Sequence, residues 1–167
     1  MTTSETSLIR VASPIGRLEI TADTTGILAL SIEREGMLPL DAFPESPSPV
    51  LRLAATQLGE YFAGRRTTFD LPVHLEHGTA FQQSVWHGLQ RLRFGEVVSY
   101  GDLGASIGRP GSGRAIGGAV GANPVPIIVA CHRVLASSGR ITGYSAGAGI
   151  PTKAWLLGLE GIAHRYE

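Results

Sequence analysis

Ser99-Tyr100-Gly101-Asp102-Leu103-Gly104-Ala105-Ser106-Ile107-Gly108-Arg109-Pro110-Gly111-Ser112-Gly113-Arg114-Ala115-Ile116-Gly117-Gly118-Ala119-Val120-Gly121 reads as two short helices about a tight turn. Ser99 and Asp102 have the spacing of an N-terminal cap, in which a hydroxyl accepts from a backbone N–H that the helix leaves unpaired. Leu103 and Ile107 continue that helix, and Gly108-Arg109-Pro110-Gly111 breaks it. Ser112 offers a second cap, and Ala115, Ile116, Ala119 and Val120 form the next apolar face. The pattern is that of a helix-turn-helix.

The second of these helices is unusual. Gly113, Gly117, Gly118 and Gly121 lie in or beside it, and each interior glycine costs about 1 kcal/mol relative to alanine. A smooth surface admits close approach, either of a neighbouring helix or of nucleic acid. Arg114 is the one long side chain there, suited to phosphates or to the base stack.

Downstream, Asn123-Pro124-Val125-Pro126 ends the helix, because proline fixes φ and removes a donor. Asn123 is placed to bond the backbone on both sides. The chain then runs through Ile127-Ile128-Val129-Ala130 to Cys131-His132-Arg133-Val134. Cys131 is the only cysteine of 167 residues. A lone thiol in an apolar run is commonly an inert core residue. Two neighbours able to carry positive charge favour the other reading, a thiol whose pKa is lowered for nucleophilic attack.

Upstream, Thr79 and Gln82 fit a capping box ahead of the stripe Phe81, Val85, Leu89 and Leu92, with Trp86 beside it. Residues 74–78 read as the junction between an N-terminal part, 1–76, and a C-terminal part, 77–167. In the first part, 8–12, 17–22 and 26–32 read as strands of a small antiparallel meander. Arg17-Leu18-Glu19-Ile20-Thr21 alternates as a half-buried strand does. Prolines at 39, 44, 47 and 49 make 39–49 a loop. Leu51, Ala54, Ala55, Leu58, Tyr61 and Phe62 share a helix face that ends near Gly64, and Thr67 to Val73 suggests a further strand.

Composition narrows the possibilities. One cysteine forbids an internal disulfide and a zinc cluster of cysteines, and a reactive thiol persists best in a reducing cytosol. No apolar run approaches the roughly 18 residues of a membrane span. Met1-Thr2-Thr3-Ser4-Glu5-Thr6-Ser7 has neither the basic start nor the apolar stretch of a secretory signal. The net charge is zero but uneven: residues 1–76 carry six Arg against ten Asp and Glu, and residues 77–167 carry seven Arg and one Lys against four. A basic second half suits a polyanion.

Phe81-Gln82-Gln83-Ser84-Val85-Trp86, Gly95-Glu96-Val97-Val98-Ser99-Tyr100-Gly101, Arg114-Ala115-Ile116-Gly117, Asn123 to Ile128, Cys131 to Val134 and Gly143-Tyr144 occur in order and in register. In these the chain resembles the O6-alkylguanine-DNA alkyltransferases, also called methylated-DNA–protein-cysteine methyltransferases, over roughly 79–161. The first 76 residues fit loosely, through Ser13-Pro14-Ile15-Gly16 and Tyr61-Phe62-Ala63-Gly64.

The resemblance implies an α/β N-terminal domain, ribonuclease-H-like, with a small antiparallel sheet and a helix. It implies a mostly α C-terminal domain with a winged-helix-like helix-turn-helix in the minor groove. It implies a suicide methyltransferase in direct DNA repair, which flips the lesion base out and takes its alkyl group once. Cys131 would be the nucleophile, His132 its base through a water, Glu160 the group orienting His132, and Tyr100 a donor to the departing guanine. Arg114 would fill the vacated stack, with Ser99, Ala115, Gly117 and Gly118 also against DNA. Asn123 would brace the turn, and Val134, Tyr144 and Ser145 would line the base pocket.

The expected partner is double-stranded DNA containing O6-alkylguanine, met in the cytoplasm at the nucleoid. The protein would be a monomer that can load cooperatively on DNA, with no membrane, metal or cofactor; His74, His77 and His87 read as surface or junction residues. One departure stands beside the nucleophile: Ala130 occupies a position where the family usually has proline. The rival readings are a non-catalytic lesion binder, a cysteine hydrolase and a helix-turn-helix regulator.

Overall fold

The computed structural model describes residues 5–165. Met1 to Ser4, part of the stretch read above for a secretory signal, lie outside the described residues. The chain first forms β1 (Ser7–Val11), β2 (Leu18–Ala22) and β3 (Ile27–Ile32), an antiparallel meander in the order β1-β2-β3. Ile9 lies opposite Ile20, and Ile20 opposite Leu30. Leu18, Ile20 and Ala22 are fully buried, as alternation predicts. Glu19, expected to face solvent, is buried as well. The proline-rich loop folds over it, and its carboxylate accepts from Arg10 Nε at 3.2 Å and from Leu40 N at 2.9 Å.

That loop stops one residue short of the expected end. Pro49 opens helix α1 (Pro49–Phe62), where its missing N–H costs nothing. Leu51, Ala54, Leu58 and Tyr61 are buried from α1, each leucine worth roughly 1.5–3 kcal/mol of transfer out of water. The strand expected over Thr67 to Val73 does not form. This segment is extended, but it touches the sheet only at a bridge from Val73 to Ile27. Pro72 has no N–H to give, so the contact is limited to Ile27 N donating to Pro72 O and His74 N to Ile27 O, both at 2.8 Å.

The C-terminal part is mostly helical: α2 (Ala80–Gln90), α3 (Tyr100–Ser106), α4 (Gly113–Gly121) and α5 (Ile150–Leu159). Thr79 and Gln82 close a reciprocal capping box on α2. Ser99 caps α3 by accepting from Asp102 N at 3.0 Å. Ser112 precedes α4 but makes no side-chain cap, because its backbone (φ −102°, ψ 32°) is not the extended form that turns the hydroxyl toward the helix. Gly104 keeps the two helices of the turn close: a Cβ there would stand 2.9 Å from Arg109 O. Trp86 of α2 donates to Ala119 O of α4 at 2.8 Å and fastens the helix pair to the core.

Two further contacts place the site. Strand β4 (Val98–Ser99) pairs in parallel with β5 (Val134–Leu135), so the start of α3 lies beside the segment that follows Cys131. Leu30 N of β3 donates to Pro124 O at 2.9 Å, which ties the approach to Cys131 to the edge of the first sheet.

Candidate active site

Cys131 sits in a 3-10 turn, Cys131–Arg133, at a cavity of about 720 Å³. The preceding residue, Ala130 (φ −81°, ψ 63°), is the centre of an inverse γ-turn closed by Cys131 N donating to Val129 O at 2.8 Å. Asn123 holds the approach from both sides: its Nδ2 donates to Val129 O at 2.8 Å, and its Oδ1 accepts from Val125 N at 3.0 Å. Between them Ile127 is held at φ +74°, a strained conformation for a β-branched residue.

Tyr100, Arg114, Gly117, Tyr144 and Ser145 line the cavity with Cys131. The thiol donates toward Tyr144 Oη at 4.0 Å, and Ser145 Oγ donates to Gly121 O at 2.8 Å, closing the 143–149 loop onto α4. Thr142 Oγ1 donates to Tyr100 Oη at 3.4 Å. Arg114, Ala115 and Gly118 are exposed on α4, and Ser99 is half-buried under its own cap. Val134, expected in the pocket, is fully buried beneath it and contributes a carbonyl instead.

The glycines of α4 face outward. A Cβ on Gly113, Gly118 or Gly121 would meet nothing within 4 Å, and on Gly117 only the Tyr100 ring at 3.9 Å. Packing within the protein therefore does not require them.

Glu160, the C-terminal cap of α5, is wholly buried beside His132. Its Oε2 accepts from His132 Nε2 at 2.6 Å, and its Oε1 from Arg133 Nε at 2.8 Å and Gly95 N at 3.0 Å. Burial alone would raise this carboxyl; the bonds from His132 and Arg133 overcome it and hold it well below the usual carboxylate range. Burial pushes His132 down against the pull of Glu160, so the ring is neutral near pH 7. With Nε2 bonded to a carboxylate, the neutral ring carries its proton there and leaves a lone pair on Nδ1. Nδ1 is buried and has no hydrogen-bond partner among the described residues.

The sequence reading of the thiol needs correction. Burial pushes Cys131 up, and the Asn123 side chain, Tyr144 hydroxyl and Lys153 ammonium oppose this without reversing it. The expected cations do not help: Arg133 is spent on Glu160 and on Leu92 O, and His132 is uncharged. The nearby charge comes from Lys153 of α5, which sequence reasoning missed. Lys153 is buried, lines the cavity, and donates to Val134 O at 2.6 Å and Gly143 O at 3.3 Å. Burial lowers its pKa to about 8. A lysine inside the apolar run of α5 was the available signal.

The sequence model described as "6-O-methylguanine DNA methyltransferase, DNA binding domain" matches residues 80–162, and that of the same enzyme's ribonuclease-like domain matches 7–75. The chain belongs to the 6-O-methylguanine DNA methyltransferase family. Within this methyltransferase family, it is 40% identical over 157 residues to the constitutive methylated-DNA–protein-cysteine methyltransferase of Bacillus subtilis, covering 92% of this chain and 94% of the relative. It is 38% identical to the methyltransferase of the same name from Haemophilus influenzae, over 91% of this chain and 84% of that one. The fold superposes on the O6-methylguanine methyltransferase of Mycobacterium tuberculosis with a TM-score of 0.81 at 40% identity, covering 93% of both chains. A second structure from that organism, OGT in complex with DNA, aligns at 0.78 and 42% identity over 90% of each chain.

Proposed function

We propose that this protein repairs alkylated DNA directly, moving the alkyl group from O6 of a flipped-out guanine to the Cys131 sulfur. One observation carries this reading. The chain's single thiol stands at a cavity bounded by Arg114 and the outward glycine face of α4, with a buried His132–Glu160 pair beside it.

The chemistry follows from the protonation states. Cys131 rests as a thiol, and the Nδ1 lone pair of His132 takes its proton through a water as the sulfur attacks. Glu160 stabilises the imidazolium so formed. The S–C bond forms while the C–O6 bond breaks. The electron pair passes to the guanine, which takes a proton from the Tyr100 hydroxyl, and the proton held by His132 returns through water to restore the phenol. Lys153 keeps positive charge near the sulfur as it gains anionic character. The product is a thioether, so each molecule acts once.

Glycines on α4 allow its backbone to approach a duplex closely, and Arg114 fills the space of the extruded base. Tyr144 and Ser145 close over that base. The DNA-facing and alkyl-accepting groups all come from 77–167, with 1–76 as the supporting domain, and the protein acts as a cytoplasmic monomer. Among the described residues no helix is long and apolar enough to cross a membrane.

Incubation with duplex DNA containing O6-methylguanine is expected to add one methyl group to the Cys131 peptide, read by mass spectrometry. Retained DNA binding with no adduct at Cys131 would overturn the transfer reading.

A further inference from the structure

Glu160 has one more donor, and it comes from the other half of the molecule. Tyr61, in α1, donates its hydroxyl to Glu160 Oε2 at 2.7 Å across 99 residues of sequence. Tyr61 is fully buried, its ring packed among Phe62, Phe69 and Phe94. This phenol is not needed to satisfy the carboxylate. Arg133 supplies Nε to Oε1 and Nη2 to Oε2 at 3.1 Å, and Gly95 N and His132 Nε2 add two more bonds. Tyr61 therefore falls on the same oxygen that His132 uses.

We propose that Tyr61 is a positioning residue for alkyl transfer, sharing Glu160 Oε2 with His132 and so limiting how strongly Glu160 draws the imidazole proton. The proposal rests on the alkyl-transfer reading given above. A carboxylate oxygen that accepts an extra hydrogen bond is a weaker acceptor for the next. With the phenol in place, His132 binds Glu160 firmly enough to fix its tautomer, yet its imidazolium is not stabilised so far that the base is lost near neutral pH. The other charged groups that act on this ring are Arg133 on its own turn and Lys153 from α5. Arg133 and Lys153 lower its proton affinity, and Glu160 alone raises it. Tyr61 thus acts on the one partner that favours the protonated ring. Burial and the Glu160 charge push the phenol's own pKa well up, so it stays a donor throughout the working range.

The test uses the full chain with isotope-labelled histidine. In Tyr61→Phe the His132 Nε2 proton is expected to move downfield in the NMR spectrum as its bond to Glu160 tightens. The acid limb of the pH profile for Cys131 methylation moves up by roughly 0.5 pH unit, about a threefold loss of rate on that limb. A ring-difluorinated tyrosine placed at position 61, a stronger donor of nearly the same shape, moves both readouts the opposite way. It also decides the matter if Tyr61→Phe fails to fold. A folded Tyr61→Phe that loses thermal stability but leaves the proton resonance and the limb unmoved would overturn the proposal and reduce the bond to a structural one. If the unsubstituted protein takes no methyl group from lesion DNA, the transfer reading fails, and the resonance still decides whether Tyr61 tempers Glu160.

Discussion

Ala130 tests how far one backbone angle prepares the proposed nucleophile, Cys131. Its φ of −81° is close to the value that proline imposes, and its turn is closed by the N–H of Cys131, not by its own. Proline should therefore fit the geometry already present. Ala130→Pro is expected to leave methyl transfer intact and to stabilise the fold by about 0.4–1 kcal/mol, through a less disordered unfolded chain. Urea titration measures this, and a lower midpoint would show that the turn is not proline-ready. The same residues show where sequence misleads. Cys131 is adjacent to His132 and Arg133, which invited an electrostatic reading of the thiol. Successive side chains diverge, and both neighbours turn to Glu160 instead. Lys153, the cation that does act on the sulfur, lies 22 positions away on a helix whose apolar content hides it.

At the scale of elements, α4 trades stability for surface. Gly118 is exposed and mid-helix, with open space where a Cβ would sit. Gly118→Ala is expected to stabilise the free protein by about 0.8 kcal/mol. It should weaken duplex binding roughly tenfold, about 1.4 kcal/mol, while reaction with the free lesion base is unchanged. Calorimetry and a binding titration separate the two, and unchanged duplex affinity would remove α4 from the interface. This helix pair is legible in sequence because its signals are local: the Ser99 cap, the glycine break and the face of Ile116, Ala119 and Val120. The segment 67–73 is not, since its residues suit a strand but Pro72 and the lack of a second neighbour leave it with a single bridge. The β4–β5 pairing is likewise illegible. Two residues carry no periodicity, and their partners lie 36 positions apart.

Over the whole molecule, the halves that composition separates are joined by buried bonds. Leu30 reaches Pro124, and Tyr61 reaches Glu160. Side chains of the sheet, α1, α2, α4 and the Cys131 segment form one continuous core. Urea unfolding is therefore expected to be a single transition, with Trp86 and Trp155 fluorescence and the amide protection of β2 lost at one midpoint. Distinct midpoints would mean that the halves fold separately. The charge imbalance is legible in sequence; the bonds that bridge it are not, because they depend on how two surfaces meet.

Lys153 gives this cooperativity a chemical handle. It is the only lysine in the chain and is almost completely enclosed, so every outward cationic side chain is a guanidinium or an imidazole. Acylating reagents that modify side-chain amines have one target, which they reach through the Cys131 cavity or when α5 lifts from the site. The rate at which this amine is acylated is thus a clock for access to the Cys131 site, with no competing side-chain amines to subtract.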